Sequence, residues 1–176
     1  LETVAQHLAR TLGYDIVSIY LWQAKSGVLA MSANYGFSPE AARKVFLHPD
    51  EGLTGLVFQE QKSLTVVPAS AHPRYKYFPE LGEQHYETYI GVPILLKRNC
   101  LGVLVVQARD AREYNANCET LLEIIASRIA GLVEVGERLD RQQLRGVQSE
   151  AVRQGVGVAS GIAMGTAHKL EGLSKN

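Results

Sequence analysis

Apolar residues along the chain alternate between helical and strand spacing, and this alternation predicts an α+β fold. A first helix has apolar residues at helical spacing: Leu1, Val4, Ala5, Leu8 and Leu12. Gly13 is a natural end for this helix. Runs of β-branched and aromatic residues predict strands over residues 15–23, 28–35, 64–67, 88–97 and 100–108. Short helices are predicted after Ser38-Pro39 and over residues 52–61.

The last predicted strand, residues 100–108, is apolar on both sides. Leu101, Val103 and Val105 lie on one side, and Leu104 and Val106 lie on the other. A strand that is apolar on both faces is packed on both faces, so we expect it in the middle of the sheet. Arg98-Asn99 is predicted to form the tight turn before it, with Asn99 in the positive-φ conformation that such a turn requires.

Asn117 or Asn115 can cap a long final helix, whose apolar positions are broader than one stripe. A helix packed on a single face needs about 100° of apolar surface. We interpret the excess as the interface of a homodimer, formed by Leu122, Ile125, Ile129, Leu132 and Val133. The alternative is a helix buried between the sheet and the first helix.

The composition is that of one globular domain without a strong charge. The 176 residues are 46% hydrophobic and carry 18 basic and 18 acidic side chains. This balance excludes a disordered chain and gives no general attraction to nucleic acid or membranes. No apolar run is long enough to cross a membrane, and two cysteines favour a reducing cytosol. Because the chain begins inside a helical pattern, we expect a segment of a larger cytoplasmic protein.

Four short motifs occur in an order that is typical of one domain family. They are Gly52-Leu53-Thr54-Gly55-Leu56-Val57, Leu64-Thr65-Val66, Gly91-Val92-Pro93-Ile94 and Leu101-Gly102-Val103-Leu104. With these motifs and the predicted element order, residues 1–138 resemble a GAF domain. The resemblance implies a central antiparallel sheet with the N- and C-terminal helices on one face. It also implies loops and short helices that form a small-molecule pocket on the other face.

Three stretches resemble more closely the N-terminal GAF domain of nitrogen-type enzyme I, a phosphoenolpyruvate–protein phosphotransferase. They are Gly52 to Val67, His72-Pro73 through Tyr77, and Gly91 through Gln107. The glycine-rich tail, residues 155–176, is similar to the first strand of the next enzyme I domain, although Ser160 stands where that family usually has Pro. The resemblance implies a helical linker over residues 139–154 and a truncated strand after it.

The same resemblance implies that the parent protein phosphorylates itself on a histidine and passes the phosphoryl group to a small phosphocarrier protein. In that family the histidine lies in a Gly-Gly-x-x-(Ser/Thr)-His setting, which none of the five histidines here has. We therefore expect the active site beyond Asn176, with neither catalysis nor a cofactor in this segment.

Residues 69–87 lack a sustained period, and irregular segments of this length are usually functional or mobile. Arg74 and His72 can bind a carboxylate there, together with the N–H groups of the helix that begins at Gly52. The predicted ligand-binding residues are Arg74, His72, Thr54, Leu53, Tyr75, Tyr77, His85 and Tyr89. The alternative is that Arg74 lies on a solvated surface and the tyrosines only fill the sheet face.

Other chemistries lack the residues that they need. His72 and His85 do not have metal-ligand spacing, so no metal site is expected. The motif of cyclic-nucleotide-binding GAF domains is absent, and neither Cys100 nor Cys118 lies in the irregular segment where a bilin would attach. A GAF-type methionine sulfoxide reductase would need more reactive cysteines than these two.

The sequence therefore predicts a regulatory sensor domain. Resemblance to nitrogen-type enzyme I implies a nitrogen metabolite as the signal, such as glutamine or 2-oxoglutarate, and the long helix would relay it. The alternative is a ligand-free dimerisation module whose pocket is filled by its own side chains.

Overall fold

A six-stranded antiparallel sheet is the centre of the fold. The computed structural model describes residues 1–81, 86–111 and 116–171, with only the backbone for residues 41, 80, 116, 144 and 146–171. The strands are β1 (Ile16–Gln23), β2 (Val28–Tyr35), β3 (Phe46–Leu47), β4 (Leu64–Val66), β5 (Thr88–Leu96) and β6 (Asn99–Ala108). Their order across the sheet is β3-β2-β1-β6-β5-β4.

Helices cover both faces of this sheet. They are α1 (Glu2–Leu12), α2 (Pro39–Ala42), α3 (Gly52–Glu60) and α4 (Ala116–Glu171), with 3-10 turns at Ala69–Ala71 and Pro79–Leu81. The helix α1 packs against β1 and β2, and α3 packs against β5 and β6. The buried residues of α1 and α4 lie outside the apolar cluster around α3, which places these two helices on the other face. This arrangement confirms the predicted α+β fold class.

The prediction for the central strand is confirmed, because β6 lies between β1 and β5. Its Val103 and Val105 belong to the core cluster that α3 covers, together with Leu53 and Val57 of that helix. Val106 is fully buried on the opposite face. Packing on both faces explains why the strand has almost no polar position.

Two details of the sheet differ from the prediction. The two-residue strand β3 was not predicted, because it is too short to show an alternating pattern. The turn between β5 and β6 is Lys97-Arg98, and the positive φ of 57° falls on Lys97. Asn99 cannot take that conformation, since it already pairs with Leu96 in the ladder.

Two residues predicted for a subunit interface lie in the core of the domain itself. Leu122 and Ile129 are each 1% exposed within a single chain, so their burial needs no partner. The interface stays a prediction, and the apolar stripe of a helix alone does not show which neighbour covers it. Ile125 and Val133 are partly buried, whereas Leu132 is 56% exposed.

The chain divides into two units, residues 1–132 and 133–176. Within the second unit α4 continues to Glu171, so residues 155–171 are helical where the glycine pattern predicts a strand. A helix satisfies its own backbone N–H and C=O groups, whereas a strand needs a neighbouring strand. The domain boundaries at residues 138 and 154 stay a prediction. Within the described ranges, no helix combines the length and the apolar composition that membrane crossing requires.

Candidate functional site

A small recess lies between the start of α3, the irregular segment of residues 72–78 and the sheet. Gly52, with a φ of +66°, leads the chain into α3, and Glu51 makes no side-chain capping bond. Helical bonding begins with the Gly55 N–H, which donates to the Glu51 carbonyl at 3.0 Å. The preceding N–H groups, including those of Leu53 and Thr54, therefore have no acceptor within the helix. They give the recess a partial positive charge.

Two hydroxyl groups meet at the floor of the recess. Tyr89 Oη lies 3.1 Å from Thr54 Oγ1, and both side chains are buried. Gly91 makes room for this pair, because a Cβ there would lie 2.6 Å from Tyr89 Oη and 3.0 Å from Val57 Cγ2. The Gly91 motif thus fixes the tyrosine ring against α3.

Gln107 is a buried polar residue beside Tyr89. The two residues are paired across β5 and β6, and both line the recess. Gln107 is 5% exposed, and its side chain lines the recess. Because an amide carries both a donor and an acceptor, Gln107 can form a hydrogen bond with a molecule in the recess.

The 72–78 segment covers the recess with Tyr75, Lys76 and Phe78. Lys76 forms an ion pair with Glu51, and its Nζ lies 5.2 Å from the centroid of the Phe78 ring. These contacts join the segment to the residue that precedes α3.

Lys76 and the backbone set the charge of Glu51. Although partial burial acts to raise it, the pKa of this carboxyl is lowered overall. The causes are the bond from Lys76 and the bond from the His48 N–H, which donates to Glu51 Oε2 at 3.0 Å. The carboxylate is therefore charged at neutral pH.

The recess is small in this structure. Its volume is about 20 Å³, which holds about one water molecule. Sites for small organic molecules typically have volumes of about 300–1,000 Å³. An amino-acid-sized ligand therefore enters only if the side chains that cover the recess move.

The structure brings together half of the predicted ligand-binding residues. Leu53, Thr54, Tyr75 and Tyr89 all line the recess. The first two come from the helix start, and Tyr89 comes from the strand that carries the Gly91 motif. These four predicted residues therefore lie together at the recess, and their role in binding stays a prediction.

The other predicted residues are not among those that line the recess. Arg74 Nη2 donates to the Asp50 carbonyl at 2.5 Å, and the Arg74 N–H donates to His72 Nδ1 at 3.1 Å. Tyr77 is 37% exposed. His85 lies outside the described residues. The charge that we expected from Arg74 is supplied at the recess by Lys76.

The sequence analysis missed five residues that line the recess: Leu47, Glu51, Lys76, Phe78 and Gln107. Gln107 carried a detectable signal, because it is the polar residue at the inward position that follows Val103 and Val105. The Glu51–Lys76 pair joins residues 25 apart and leaves no comparable signal.

The cysteines offer no reactive group to the recess. Cys100 Sγ donates to the Gly102 carbonyl at 3.2 Å, and burial raises the pKa of this thiol. A raised pKa disfavours the nucleophilic thiolate. Among the described residues, no three His, Cys, Asp or Glu side chains are grouped as metal ligands.

The fold and the site together define an α+β domain with helices on both faces of the sheet and a small recess beside α3. The chain belongs to the GAF domain family, which its residues 1–133 match. This finding confirms the family resemblance found in the sequence.

Two curated relatives of the chain are phosphotransferase-system proteins. A curated relative from Salmonella typhimurium, named phosphoenolpyruvate-dependent phosphotransferase system, is 28% identical over 92% of this chain and 22% of its own length. The chain thus spans about a fifth of that relative.

Two solved GAF domains of phosphoenolpyruvate–protein phosphotransferases are also similar. The domain from Coxiella burnetii is 28% identical with a TM-score of 0.74, covering 78% of this chain and 82% of that one. The domain from Acinetobacter is 27% identical with a TM-score of 0.72, covering 80% and 84%.

Proposed function

We propose that this GAF domain is the regulatory sensor of a phosphoenolpyruvate–protein phosphotransferase. The similarity to phosphotransferase-system proteins supports phosphotransferase activity in the longer protein, and the polar recess supports the sensing of a small molecule. The observation that carries the sensing is Gln107, a buried amide side chain that lines the recess beside the paired hydroxyls of Thr54 and Tyr89. A hydrogen bond from this amide to a bound polar ligand would contribute about 0.5–1.5 kcal/mol.

The recess favours a small ligand with a carboxylate and a second polar group. Free N–H groups at the start of α3 attract an anion. The Gln107 amide and the hydroxyls of Thr54 and Tyr89 offer both donors and acceptors to the remainder of the ligand. Glutamine and 2-oxoglutarate both have this chemistry and are the candidate signals.

Calorimetry with Gln107→Leu tests this proposal. The wild-type chain should bind glutamine or 2-oxoglutarate, and the variant should bind it about two- to tenfold more weakly, since a lost neutral hydrogen bond accounts for roughly 0.5–1.5 kcal/mol. Gln6→Leu on the exposed side of α1 is the matched control and should bind as the wild type does. Equal affinity in Gln107→Leu would remove this residue from the site, and no heat with either metabolite would contradict the sensing function.

A ligand-free dimerisation module is the second candidate. Two observations favour it: the small volume of the recess and the exposed apolar residues Leu121, Ile124 and Leu132 of α4. Such a module would associate as a homodimer through these side chains and would not respond to metabolites. The Leu132→Asp variant described below tests the association.

For the longer protein we propose phosphoryl transfer from phosphoenolpyruvate to a small phosphocarrier. The GAF domain would alter this transfer through α4, which leads from the domain into the second unit. In this proposal residues 139–154 are the linker and residues 155–176 begin the following domain. Phosphotransfer assays on the full-length protein, with and without glutamine or 2-oxoglutarate, test the coupling. Equal rates with and without a bound metabolite would contradict it.

A further inference from the structure

The ion pair between Glu51 and Lys76 lies at the edge of the recess. The Lys76 side chain is 50% exposed and that of Glu51 is 19% exposed. The ammonium group is therefore hydrated on one side and paired on the other. A cation in this position can change its partner without being buried.

Glu51 pairs with Lys76 but does not cap the first turn of α3. One of its oxygens accepts from Lys76 and the other accepts from the His48 N–H. Neither caps the helix. A carboxylate on a ligand could therefore bind the free N–H groups of α3, where it would lie near Glu51 and repel it. The two carboxylates would compete for the same ammonium.

Entry of such a ligand requires movement of the 72–78 segment. The recess holds about 20 Å³, and Lys76 and Phe78 are among the side chains that cover it. Because Lys76 joins this segment to Glu51, releasing that pair and admitting the ligand are linked events.

We propose that Glu51 is an internal competitor for Lys76. In the empty recess Glu51 holds the 72–78 segment in place through Lys76, and a bound ligand carboxylate takes Lys76 from Glu51. This inference rests on the proposed sensing function. It assigns Lys76 as the positive charge that pairs with the ligand carboxylate. It also assigns the Glu51–Lys76 ion pair as the contact through which ligand binding changes the position of the 72–78 segment.

Arg74 provides a comparison within the same segment. Its guanidinium also holds the segment, but through the neutral Asp50 carbonyl, and its side chain does not line the recess. Removing Arg74 should loosen the segment without removing the ligand's counter-charge. Removing Lys76 should loosen the segment and also remove the ligand's counter-charge.

Hydrogen exchange of the ligand-free chain tests the first half of the proposal. Amides 74–78 of Glu51→Gln should exchange about two- to fivefold faster than those of the wild type, the range expected when a partly exposed ion pair is lost. Glu40→Gln, at an exposed position of α2, is the matched control and should exchange as the wild type does. Unchanged exchange in Glu51→Gln would overturn the proposal.

Calorimetry with glutamine and 2-oxoglutarate tests the second half. Glu51→Gln should bind about two- to fivefold more tightly than the wild type, Lys76→Met more weakly, and Arg74→Met no more weakly. Suppose that the wild type binds but Glu51→Gln binds no more tightly, or that Lys76→Met retains full affinity. Either result would overturn the proposed transfer of Lys76 from Glu51 to the ligand and would leave the sensing function standing. If no variant binds either metabolite, the sensing function and the exchange of Lys76 both fail. Hydrogen exchange then separately decides whether Glu51 holds the segment.

Discussion

The two faces of the sheet are held by different kinds of contact. On the face covered by α1 and α4, buried contacts come from apolar side chains such as Leu8, Leu122 and Ile129. The recess face also has an apolar cluster, but it adds the buried polar residues Thr54 and Gln107. Apolar packing depends on shape and has no partner to exchange, whereas a polar group can replace a protein partner with a ligand. The first face provides stability, and the second has the groups that recognition needs.

The largest effect should come from a charge on the helix-covered face. Ile129→Asp places a carboxylate at a position that is 1% exposed, so we expect a loss of about 3 kcal/mol or more in the free energy of unfolding. Leu132→Asp, three residues further along α4 and 56% exposed, should change it by about 0.5 kcal/mol or less. Urea denaturation measures both.

The same pair of variants separates the core of the domain from a subunit interface. If the chain is a dimer through the exposed side of α4, light scattering should show a folded monomer for Leu132→Asp. Full stability of Ile129→Asp would contradict the burial of this residue in the domain itself.

An intermediate effect is expected on the recess face. Gly91→Ala places a methyl group within 2.6 Å of Tyr89 Oη, so the ring must move and its bond to Thr54 is lost. We expect a loss of about 1–3 kcal/mol in the free energy of unfolding. Gly131→Ala is the control, since a Cβ there meets nothing within 4 Å and alanine favours a helix. Equal stability of the two variants would show that Gly91 does not position Tyr89.

The smallest effect concerns the charge of Glu51. Because Lys76 and the His48 N–H lower its pKa in the folded chain, the charged carboxylate stabilises the fold at neutral pH. This contribution is lost as the pH falls through the folded-state pKa. Carbon NMR should show a Glu51 pKa below the usual value of a glutamate carboxyl, and Lys76→Met should raise it. An unchanged Glu51 pKa in Lys76→Met would contradict the ion pair in solution.

Regular elements could be predicted from the sequence because their signals are local. The alternating apolar residues of β6 located it in the sheet, and the motifs at Thr54 and Gly91 located the floor of the recess. The contacts that bury α4 and the Glu51–Lys76 ion pair both depend on residues that are distant in the sequence. The helical stripe of Leu122 and Ile129 is the same whether a sheet or a subunit covers it. In an irregular segment, no period decides between Arg74 and Lys76 as the residue that faces inward.

The central claim is that the recess beside Gln107 takes up a small carboxylate ligand, and NMR titration tests it directly. Adding glutamine or 2-oxoglutarate to labelled chain should shift the amide signals at the start of α3, in the 72–78 segment and around Tyr89 and Gln107. Signals of the α4 residues that pack on the opposite face should move least. The absence of saturable shifts with both metabolites, or shifts confined to the helix-covered face, would contradict the account.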